Sequence, residues 1–194
     1  IYKCKLIMNE NNYTTLSIYV GPMYAGKSTR LIKLYNELNE KKQNVCVITH
    51  SDENRYSYDK LSSHNNEQIS CKKYKTLELF KSSEVDILKT IDHILIDEAQ
   101  FFVDLNICLD FVEKMKIHVS IFGLDCDFQR NKFGKILDLV PYCDYFEKLK
   151  GKCSLCDSNS LFSHRKNDFK QQVLIGKNDL YEPLCRFCFL KKNP

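Results

Sequence analysis

The chain has 194 residues, 43% of them hydrophobic and 28% charged, and its 29 basic and 25 acidic side chains give a net charge of +4. This composition is that of a globular protein with a sizeable core, and it excludes a disordered tail, a fibre and a collagen-like chain. So small a positive surplus does not favour nucleic-acid binding, which is typically accompanied by a concentrated basic surface. No run approaches the about 18 apolar residues of a membrane span, and the polar N-terminal segment lacks the apolar core of a secretory signal. We therefore expect a soluble, cytoplasmic protein with no membrane partner.

Short strands and amphipathic helices alternate over most of the chain. The strand patterns are compact and apolar, and they cover residues 17–20, 45–49, 94–96 and 119–124. Helical spacing of apolar residues follows them, over residues 27–38, 77–90 and 105–112. Strands that are apolar throughout and separated by helices predict an α/β fold, with a parallel sheet flanked by helices on both faces. Residues 51–68 show no periodicity and are predicted to form a long, mobile loop.

The character of the sequence changes near residue 150, where helical patterns give way to cysteine pairs and short strand patterns. We therefore predict two domains. Residues 1–149 hold the parallel sheet, and residues 150–194 form a small C-terminal domain.

The strongest motif is a phosphate-binding loop between the first predicted strand and helix. Its sequence fits the P-loop pattern G-x-x-x-x-G-K-[ST]. Backbone N–H groups of such a loop form a nest for phosphate oxygens, and the following helix adds its positive end. The lysine supplies an ammonium for the β- and γ-phosphates, and the serine offers a hydroxyl to Mg²⁺. The candidate residues are Gly21, Pro22, Met23, Tyr24, Ala25, Gly26, Lys27 and Ser28. Because GTPases, ATPases and small-molecule kinases share this loop, it predicts nucleoside triphosphate binding but not the reaction.

A second candidate site is the acidic pair Asp97 and Glu98, which follows the buried strand predicted over residues 94–96. Ligands of open α/β sheets bind at the carboxyl ends of the strands, so both carboxylates are expected at that edge. Asp97 is a candidate for holding Mg²⁺ through water, and Glu98 is a candidate base for a hydroxyl that attacks a γ-phosphate. The alternative is that the pair only begins a loop or caps the next helix.

Four of the ten cysteines form two C-x-x-C pairs, Cys153 with Cys156 and Cys185 with Cys188. Two such pairs complete a tetrahedral four-sulfur shell for Zn²⁺, and a filled shell predicts a structural metal instead of a catalytic one. The segment between the pairs would be a loop held at its base by the metal. The alternatives are two redox disulfides or four uninvolved thiols. The other cysteines lack motif spacing and are expected to be buried free thiols. They are Cys4, Cys46, Cys71, Cys108, Cys126 and Cys143.

In their order and spacing, these motifs resemble the type II thymidine kinases, a zinc-containing cytosolic family found in animals, bacteria and some viruses. The resemblance covers residues 18–188, nearly the whole chain, and no single motif carries it alone. The residues that carry it are 21–29, 97–102, 124–130, Phe133-Gly134, Tyr181 and the two cysteine pairs.

The resemblance implies transfer of the γ-phosphate of ATP to the 5′-hydroxyl of thymidine, with deoxyuridine as a further acceptor and Glu98 as catalytic base. It also implies Mg²⁺ bound with ATP and a structural zinc. Beyond the P-loop, the residues expected at ATP and Mg²⁺ are Glu53, Asn54, Arg55, Asp97, Glu98, Ala99 and Gln100. The residues expected at the nucleoside are Met23, Phe101, Leu124, Phe128, Phe133, Ser163, Tyr181 and, through the backbone of a loop named the lasso, Gln172, Val173, Leu174, Ile175 and Gly176.

The resemblance also implies a homotetramer that acts in nucleotide salvage for DNA synthesis and is feedback-inhibited by thymidine triphosphate. It places Arg165, like Arg55, near the phosphates. The chain departs from the family pattern where Gly176-Lys177 replaces a common Gly-Gly pair and where Glu53 replaces a usual Asp. Ser163 stands in place of a frequent Thr, which predicts more space beside the thymine methyl group and looser base selectivity.

Two other functions remain open at this point. One is a nucleotide switch or binding module that uses the P-loop and docks a partner through the zinc site. Such a switch needs neither an acceptor base nor a nucleoside pocket, so Glu98, Phe128 and Tyr181 distinguish it from a kinase. The other is a zinc-dependent nucleic-acid binder, for which Lys191 and Lys192 are weak support because they suit a solvated tail.

Overall fold

The computed structural model describes residues 13–51, 60–62, 68–167, 171–172 and 180–193. Twelve strands and five α-helices lie in these ranges. In chain order they are β1 (Leu16–Val20), α1 (Lys27–Glu40), β2 (Val45–His50), β3 (Lys60–Ser62), β4 (Gln68–Ser70), β5 (Lys72–Tyr74), α2 (Leu77–Ser83), α3 (Val85–Leu88), β6 (His93–Ile96), α4 (Ile107–Leu109), β7 (His118–Gly123), β8 (Tyr145–Lys148), β9 (Gly151–Lys152), β10 (Asn159–Ser160), β11 (Phe162–Arg165), β12 (Tyr181–Leu184) and α5 (Arg186–Lys192). Other helical segments cover Ala99–Phe101, Asp110–Lys114 and Ile136–Tyr142.

Six of the strands form one parallel sheet in the order β5-β2-β6-β7-β1-β8. The register pairs Val20, the last residue of β1, with Gly123 of β7 on one side and Lys148 of β8 on the other. The segments that follow β1, β7 and β8 therefore leave the sheet at the same edge. This arrangement confirms the predicted α/β fold with its parallel sheet, and it brings both candidate sites to the edge where ligands of such sheets bind.

The sheet is covered on both faces, because alternate residues of each strand point to opposite sides. Ile18 of β1 belongs to an apolar cluster on one face, together with Phe80 of α2. Its neighbour Tyr19 belongs to the cluster on the other face, where Leu31 of α1 packs. The ring of Tyr19 stacks on that of Phe122, with 4.7 Å between the centroids. Each strand of the inner sheet thus contributes to two cores at once, which explains its continuous apolar pattern.

The four inner strands lie within one residue of their predicted bounds, whereas the two edge strands have no predictive pattern. The edge strand β5 consists of two lysines and a tyrosine, all half-buried. In the other edge strand, β8, Tyr145 and Phe146 are exposed. An edge strand has a partner on one side only and a more solvated surface, so it lacks the apolar run that marks a central strand.

The prediction of one loop over residues 51–68 is wrong in part. Strand β3 pairs antiparallel with β4, so that Lys60 lies opposite Ser70 and Ser62 lies opposite Gln68. Leu61 and Ile69 are buried against the face of the sheet that α1 covers. Two buried apolar side chains in otherwise polar strands are too short a signal for a periodicity argument. The rest of this segment, residues 52–59 and 63–67, lies outside the described residues.

After β8 the chain forms two small antiparallel sheets, β9 with β10 and β11 with β12, followed by α5. We refer to the described residues from 150 onward as the C-terminal module. The predicted domain boundary falls between β8 and β9, and the division into two domains remains a prediction. Lys191 and Lys192 are exposed, as predicted, but they are the last residues of α5, and the Lys192 ammonium lies 2.5 Å from the Glu182 carboxylate. No helix within the described ranges combines the length and the apolar character needed to cross a membrane.

Candidate functional site

The P-loop connects β1 to α1. Gly26 has φ 78°, a left-handed conformation that favours glycine, and it directly precedes the first turn of α1. Because glycine has no side chain, nothing at this position competes with a ligand for the first N–H groups of the helix. The Lys27 ammonium donates to the carbonyls of Gly21, at 3.1 Å, and Pro22, at 2.8 Å. The lysine therefore folds back over the loop that carries it, within reach of any anion held there.

Asp97 and Glu98 directly follow β6, and both are buried, with exposed fractions of 1% and 7%. The Asp97 N–H donates to the Ile48 carbonyl of β2 at 2.8 Å, which extends the ladder between β2 and β6 by one residue. Glu98 has φ 50° and ψ 38°, a left-handed conformation that is uncommon for a residue with a side chain. Strain of this kind, of order 1 kcal/mol, is concentrated at functional sites. Glu98 occupies the N-cap position of the short helix that follows, but its side chain makes no capping hydrogen bond there.

The Gln100 side chain connects Glu98 to the end of β7. Its amide nitrogen donates to the Glu98 carboxylate at 2.5 Å, and its carbonyl oxygen accepts from the Leu124 N–H at 2.9 Å. Because the Leu124 N–H is a donor, it fixes which end of the amide points to Glu98. Gln100 is itself 3% exposed, so both bonds lie away from water. Ala99, between the two, is fully buried in the apolar core.

Two aromatic side chains of the predicted nucleoside site lie close to this carboxylate edge. Phe101, at the end of the short helix after Glu98, meets Phe133 edge to face, with 5.6 Å between the ring centroids. His50, the last residue of β2, packs against the Phe101 ring at 5.7 Å. Phe133 is buried, and Phe101 is half-buried. These rings form an apolar wall beside the acidic pair.

A second group of predicted nucleoside residues is organised by Arg165, a buried residue of β11. Its guanidinium lies over the Phe128 ring, 3.7 Å from the centroid, and donates to the Tyr181 hydroxyl. It also donates to the backbone carbonyls of Gln171 and Gln172, the start of the lasso. The position of Arg165 near the phosphates, which the resemblance implies, remains a prediction. The sequence motifs give no indication of this role for Arg165. It lies two residues after Ser163 on the same strand, so the two side chains share one face.

The lasso is also connected to the loop after β7. The Gln172 side-chain amide donates to the Asp127 carboxylate at 2.9 Å. The same carboxylate accepts from the N–H groups of Gln129 and Asn131, each at 2.9 Å. Asp127 therefore holds its own turn and the start of the lasso together. Asp127 is one of two acidic residues in the motif 124–130, and spacing alone assigns it no role.

Ser163 and Met23, both predicted near the thymine methyl group, are in direct contact. The Ser163 hydroxyl accepts a hydrogen bond of 2.8 Å from the Met23 N–H, inside the P-loop. Ser163 is 4% exposed. The structure thus brings a strand of the C-terminal module into contact with the phosphate-binding loop.

The four cysteines of the two C-x-x-C pairs meet at one point. Their sulfur atoms all lie within 4.8 Å of one another. The Cys156 sulfur is 3.7 Å from those of Cys185 and Cys188. A tetrahedral shell with Zn–S bonds of about 2.3 Å requires sulfur atoms roughly 3.8 Å apart, so the quartet fits zinc. The separate pairing into redox disulfides is not what the geometry shows, because all four cysteines are free.

The thiols of the quartet have unequal tendencies to ionise. Burial raises the pKa of Cys153, but backbone hydrogen bonds from Cys185 and Leu155 outweigh it and bring the pKa down to about 6. Burial, together with the neighbouring cysteine sulfurs, raises the pKa of Cys188 to about 12. Four thiolates this close repel one another without a cation. A divalent metal that accepts thiolate ligands removes this conflict.

The other described cysteines follow the prediction in part. Cys46, Cys71 and Cys108 are buried free thiols, as expected. Cys126 and Cys143 are free but only half-buried. The predicted site residues that lie outside the described residues, together with Cys4, are Glu53, Asn54, Arg55, Val173, Leu174, Ile175 and Gly176.

Comparison with known proteins gives a consistent result. A family model described as "Thymidine kinase" matches residues 14–189. A thymidine kinase of Amsacta moorei entomopoxvirus is 35% identical over 181 residues, which cover 90% of this chain and 97% of the viral protein. A thymidine kinase of African swine fever virus is 33% identical over 180 residues, covering 92% of this chain and 94% of that protein. A thymidine kinase of Oryza sativa is 36% identical over 178 residues, covering 90% of this chain and 66% of the rice protein.

Proposed function

The chain belongs to the thymidine kinase family, and we propose how its residues transfer the γ-phosphate of ATP to the 5′-hydroxyl of thymidine. The family makes the chain an ATP-dependent nucleoside kinase. The observation that carries the proposed mechanism is the buried Glu98 carboxylate, held by the Gln100 amide at the sheet edge. A nucleotide switch has no need of an oriented carboxylate beside an aromatic wall.

ATP binds in the P-loop, with its phosphates on the N-terminus of α1. Lys27, which donates to the loop carbonyls of Gly21 and Pro22, turns to the β- and γ-phosphates. Mg²⁺, when bound with ATP, neutralises charge on the phosphates, and Ser28 and Asp97 are the residues that would hold it. Glu53, Asn54, Arg55, Ala99 and Gln100 complete the ATP side as the resemblance implies, although Ala99 can act there only through its backbone because its side chain is buried.

Glu98 acts as the general base. The 5′-hydroxyl of the nucleoside gives its proton to the Glu98 carboxylate as the new O–P bond forms and the bond from the γ-phosphate to ADP breaks. The Gln100 amide donates to one oxygen of the carboxylate and so orients it. Because Gln100 is fixed by the Leu124 N–H, the base is oriented by the same segment that borders the nucleoside pocket. Gln100 is therefore a positioning residue in this mechanism.

The nucleoside lies between the two aromatic groups, with Phe101 and Phe133 on one side and Phe128 and Tyr181 on the other. Flat aromatic rings suit the face of a thymine base. Met23, Leu124 and Ser163 border the methyl group, and backbone groups from Gln172 to residue 176 bind the edge of the base. The hydrogen bond between the Met23 N–H and the Ser163 hydroxyl supports a shared position of these two residues at the pocket. Deoxyuridine, which lacks only the methyl group, is a second acceptor.

Zinc bound by Cys153, Cys156, Cys185 and Cys188 is structural, because four sulfurs fill its shell. The cysteines belong to the same apolar cluster as Phe162 of β11 and Leu184 of β12. Those two strands carry Ser163, Arg165 and Tyr181 toward the site. The metal thus supports the nucleoside pocket without touching the reacting atoms.

Three further properties are proposed on the resemblance to the family: a homotetramer, inhibition by thymidine triphosphate, and a cytoplasmic location. Free thiols at Cys46, Cys71 and Cys108 are compatible with a reducing compartment. Sedimentation of the purified protein tests the tetramer. Titration of thymidine triphosphate into the kinase assay tests the inhibition.

The experiment that tests the proposed function is a phosphate-transfer assay with ATP and Mg²⁺. Thymidine, deoxyuridine and deoxycytidine are offered in parallel, and monophosphate formation is followed. We expect turnover with thymidine, weaker turnover with deoxyuridine and none with deoxycytidine. ATP hydrolysis without transfer to any nucleoside would instead favour the nucleotide switch.

A further inference from the structure

The C-terminal module contacts the P-loop at Met23 and Tyr24, and these contacts involve the backbone of the loop that would hold the phosphates. One contact is the 2.8 Å hydrogen bond that the Ser163 hydroxyl accepts from the Met23 N–H. The donor is a backbone group of the loop that holds the phosphates. With Ser163 only 4% exposed, water cannot readily replace this acceptor.

A second contact is the close approach of β9 to the same loop. A Cβ atom added to Gly151 would lie 2.5 Å from the Tyr24 carbonyl oxygen and 2.9 Å from the Ser160 hydroxyl oxygen. The Ser160 hydroxyl accepts from the Gly151 N–H at 3.1 Å, which fixes β9 in this position. Tyr24 has φ 63°, a left-handed conformation that requires support from its surroundings. The backbone of the module therefore lies directly against the strained part of the P-loop.

A third contact joins the module to the end of the sheet beside the P-loop. Lys148, paired with the residue that ends β1, lies 2.5 Å from the Asp125 carboxylate. Its ammonium also lies over the Phe162 ring, 5.7 Å from the centroid. Phe162 precedes Ser163 on β11 and packs in the apolar cluster that contains Cys153, Cys185 and Cys188. A continuous chain of contacts thus leads from the cysteine quartet through Phe162 and Ser163 to Met23.

We propose that the C-terminal module supports the phosphate-binding loop, with Ser163 as a positioning residue for ATP. Ser163 fixes the Met23 peptide, and β9 backs the Tyr24 peptide, so the loop is shaped for phosphate before ATP arrives. The cysteine quartet with its zinc holds β9 and β11 in place, and so it supports the ATP site as well as the nucleoside pocket. The proposal rests on the proposed function only in taking ATP as the nucleotide.

The test measures binding of β,γ-imido-ATP with Mg²⁺, by calorimetry and without any nucleoside. Ser163→Ala removes the acceptor of the Met23 N–H, which is expected to weaken binding by about fivefold to fiftyfold. Ser163→Thr keeps a hydroxyl and is expected to stay within about threefold of the parent protein. Gly151→Ala inserts a methyl group against the Tyr24 carbonyl and is expected to weaken binding as Ser163→Ala does.

The zinc content and the thermal unfolding of each variant are measured as controls that it is correctly folded. Ser154→Ala, the same change at an exposed serine of the module, is the matched control and should bind the analogue as the parent protein does. Calorimetry of thymidine on the same variants separates the two sites. We expect Ser163→Ala to lose more affinity for the ATP analogue than for thymidine.

Two results would overturn the proposal. In one, Ser163→Ala retains zinc, binds the analogue normally and changes only the preference for thymidine over deoxyuridine, which places Ser163 in the nucleoside pocket alone. In the other, Ser163→Thr weakens binding of the analogue as much as Ser163→Ala does, so the hydroxyl group is not what supports the P-loop. Failure of thymidine phosphorylation by the parent protein would refute the proposed function but not this inference, because no acceptor is present in the binding experiment.

Discussion

The parallel sheet and the C-terminal module are stabilised in different ways. The sheet has two apolar clusters, with fully buried side chains such as Phe80, Phe111 and Phe122. The module has one small cluster, and three of its six buried members are the cysteines Cys153, Cys185 and Cys188. Each buried Leu or Phe side chain contributes about 1.5–3 kcal/mol, so the three apolar residues of the module fall far short of the entropy lost on ordering it.

The comparison gives a physical reason for a P-loop and a cysteine quartet suited to zinc in one chain. Structural zinc contributes about 10–16 kcal/mol in small metal-dependent domains, which replaces the missing core. The sheet folds around its own side chains and presents Lys27, Asp97 and Glu98, which we propose as the groups that act on the phosphates and the acceptor hydroxyl. We propose that the module depends on a metal held by its four cysteines, and it supplies Ser163, Arg165 and Tyr181 from short strands. The predictions below test this division, beginning with the largest effect.

Removal of zinc is expected to unfold the module and to leave the sheet folded. A chelator at neutral pH should abolish amide-exchange protection in β11, β12 and α5 while protection persists in β1, β6 and β7, because the inner strands have their own core. Exchange measured by mass spectrometry checks this. If β12 keeps its protection after the zinc has been lost, the module is stabilised by its own packing and the comparison fails.

Glu98→Gln is expected to lower kcat by about 10²–10⁴ while nucleoside and ATP affinities stay close to those of the parent protein. The amide has nearly the shape of the carboxylate but cannot accept the proton. Steady-state kinetics and calorimetry together separate turnover from binding. Near-normal turnover would remove Glu98 from the role of base.

A smaller effect on the same step is expected for Gln100→Met, which has a similar length but cannot donate to Glu98 or accept from the Leu124 N–H. It serves as the matched variant for Glu98→Gln, because it leaves the carboxylate present but not oriented.

A pair of Phe-to-Ala changes compares the two regions directly. Phe80→Ala in the sheet core is expected to lower the free energy of unfolding by about 3–5 kcal/mol, since Phe80 is fully buried. Phe162→Ala in the module should leave the free energy of unfolding of the sheet nearly unchanged. It should instead accelerate the release of zinc to a chelating dye. Urea denaturation and the dye assay measure the two effects. Equal destabilisation of the sheet by both variants would show that the regions unfold as one unit.

His93 makes the stability of the sheet depend on pH. Burial, with a contribution from the neighbouring His118, lowers the pKa of His93 to about 4. In the unfolded chain a histidine takes up its proton near pH 6.5, so between pH 6.5 and 4 the unfolded state binds more protons. Stability is therefore expected to fall as the pH falls through this window, by about 2–3 kcal/mol.

Urea denaturation at pH 7.5, 6.5, 5.5 and 4.5 measures this dependence. His93→Gln is the control, because an amide can still bond to the Ser120 hydroxyl that His93 contacts at 3.0 Å but does not titrate. The variant should show a flatter pH dependence. An unchanged slope would mean that other groups govern the acid sensitivity of the sheet.

The interior of the sheet could be predicted well from the sequence, and its edges could not. Apolar runs marked β1, β2, β6 and β7 to within one residue, because a strand buried on both faces can contain little else. The edge strands β5 and β8 and the β3–β4 pair could not be predicted, because few of their side chains are both apolar and buried and they follow no apolar pattern. The candidate site follows the same rule. The P-loop and the cysteine quartet are recognised because their residues stand at fixed spacings. Contacts between residues that are distant in sequence leave no such spacing and could not be predicted.

The amino-acid sequence by itself determined the fold class, the P-loop, the acidic pair and the two cysteine pairs suited to a metal, since each depends on local spacing or on burial along a single strand. Only the tertiary structure decided that the Leu124 N–H at the end of β7 holds the Gln100 amide that donates to Glu98, that Arg165 joins Phe128, Tyr181 and the start of the lasso, and that Ser163 bonds to the P-loop. The physical reason is that a hydrogen bond between residues such as Met23 and Ser163, 140 positions apart, depends on how the strands are placed in space, and nothing in the neighbouring residues encodes that placement.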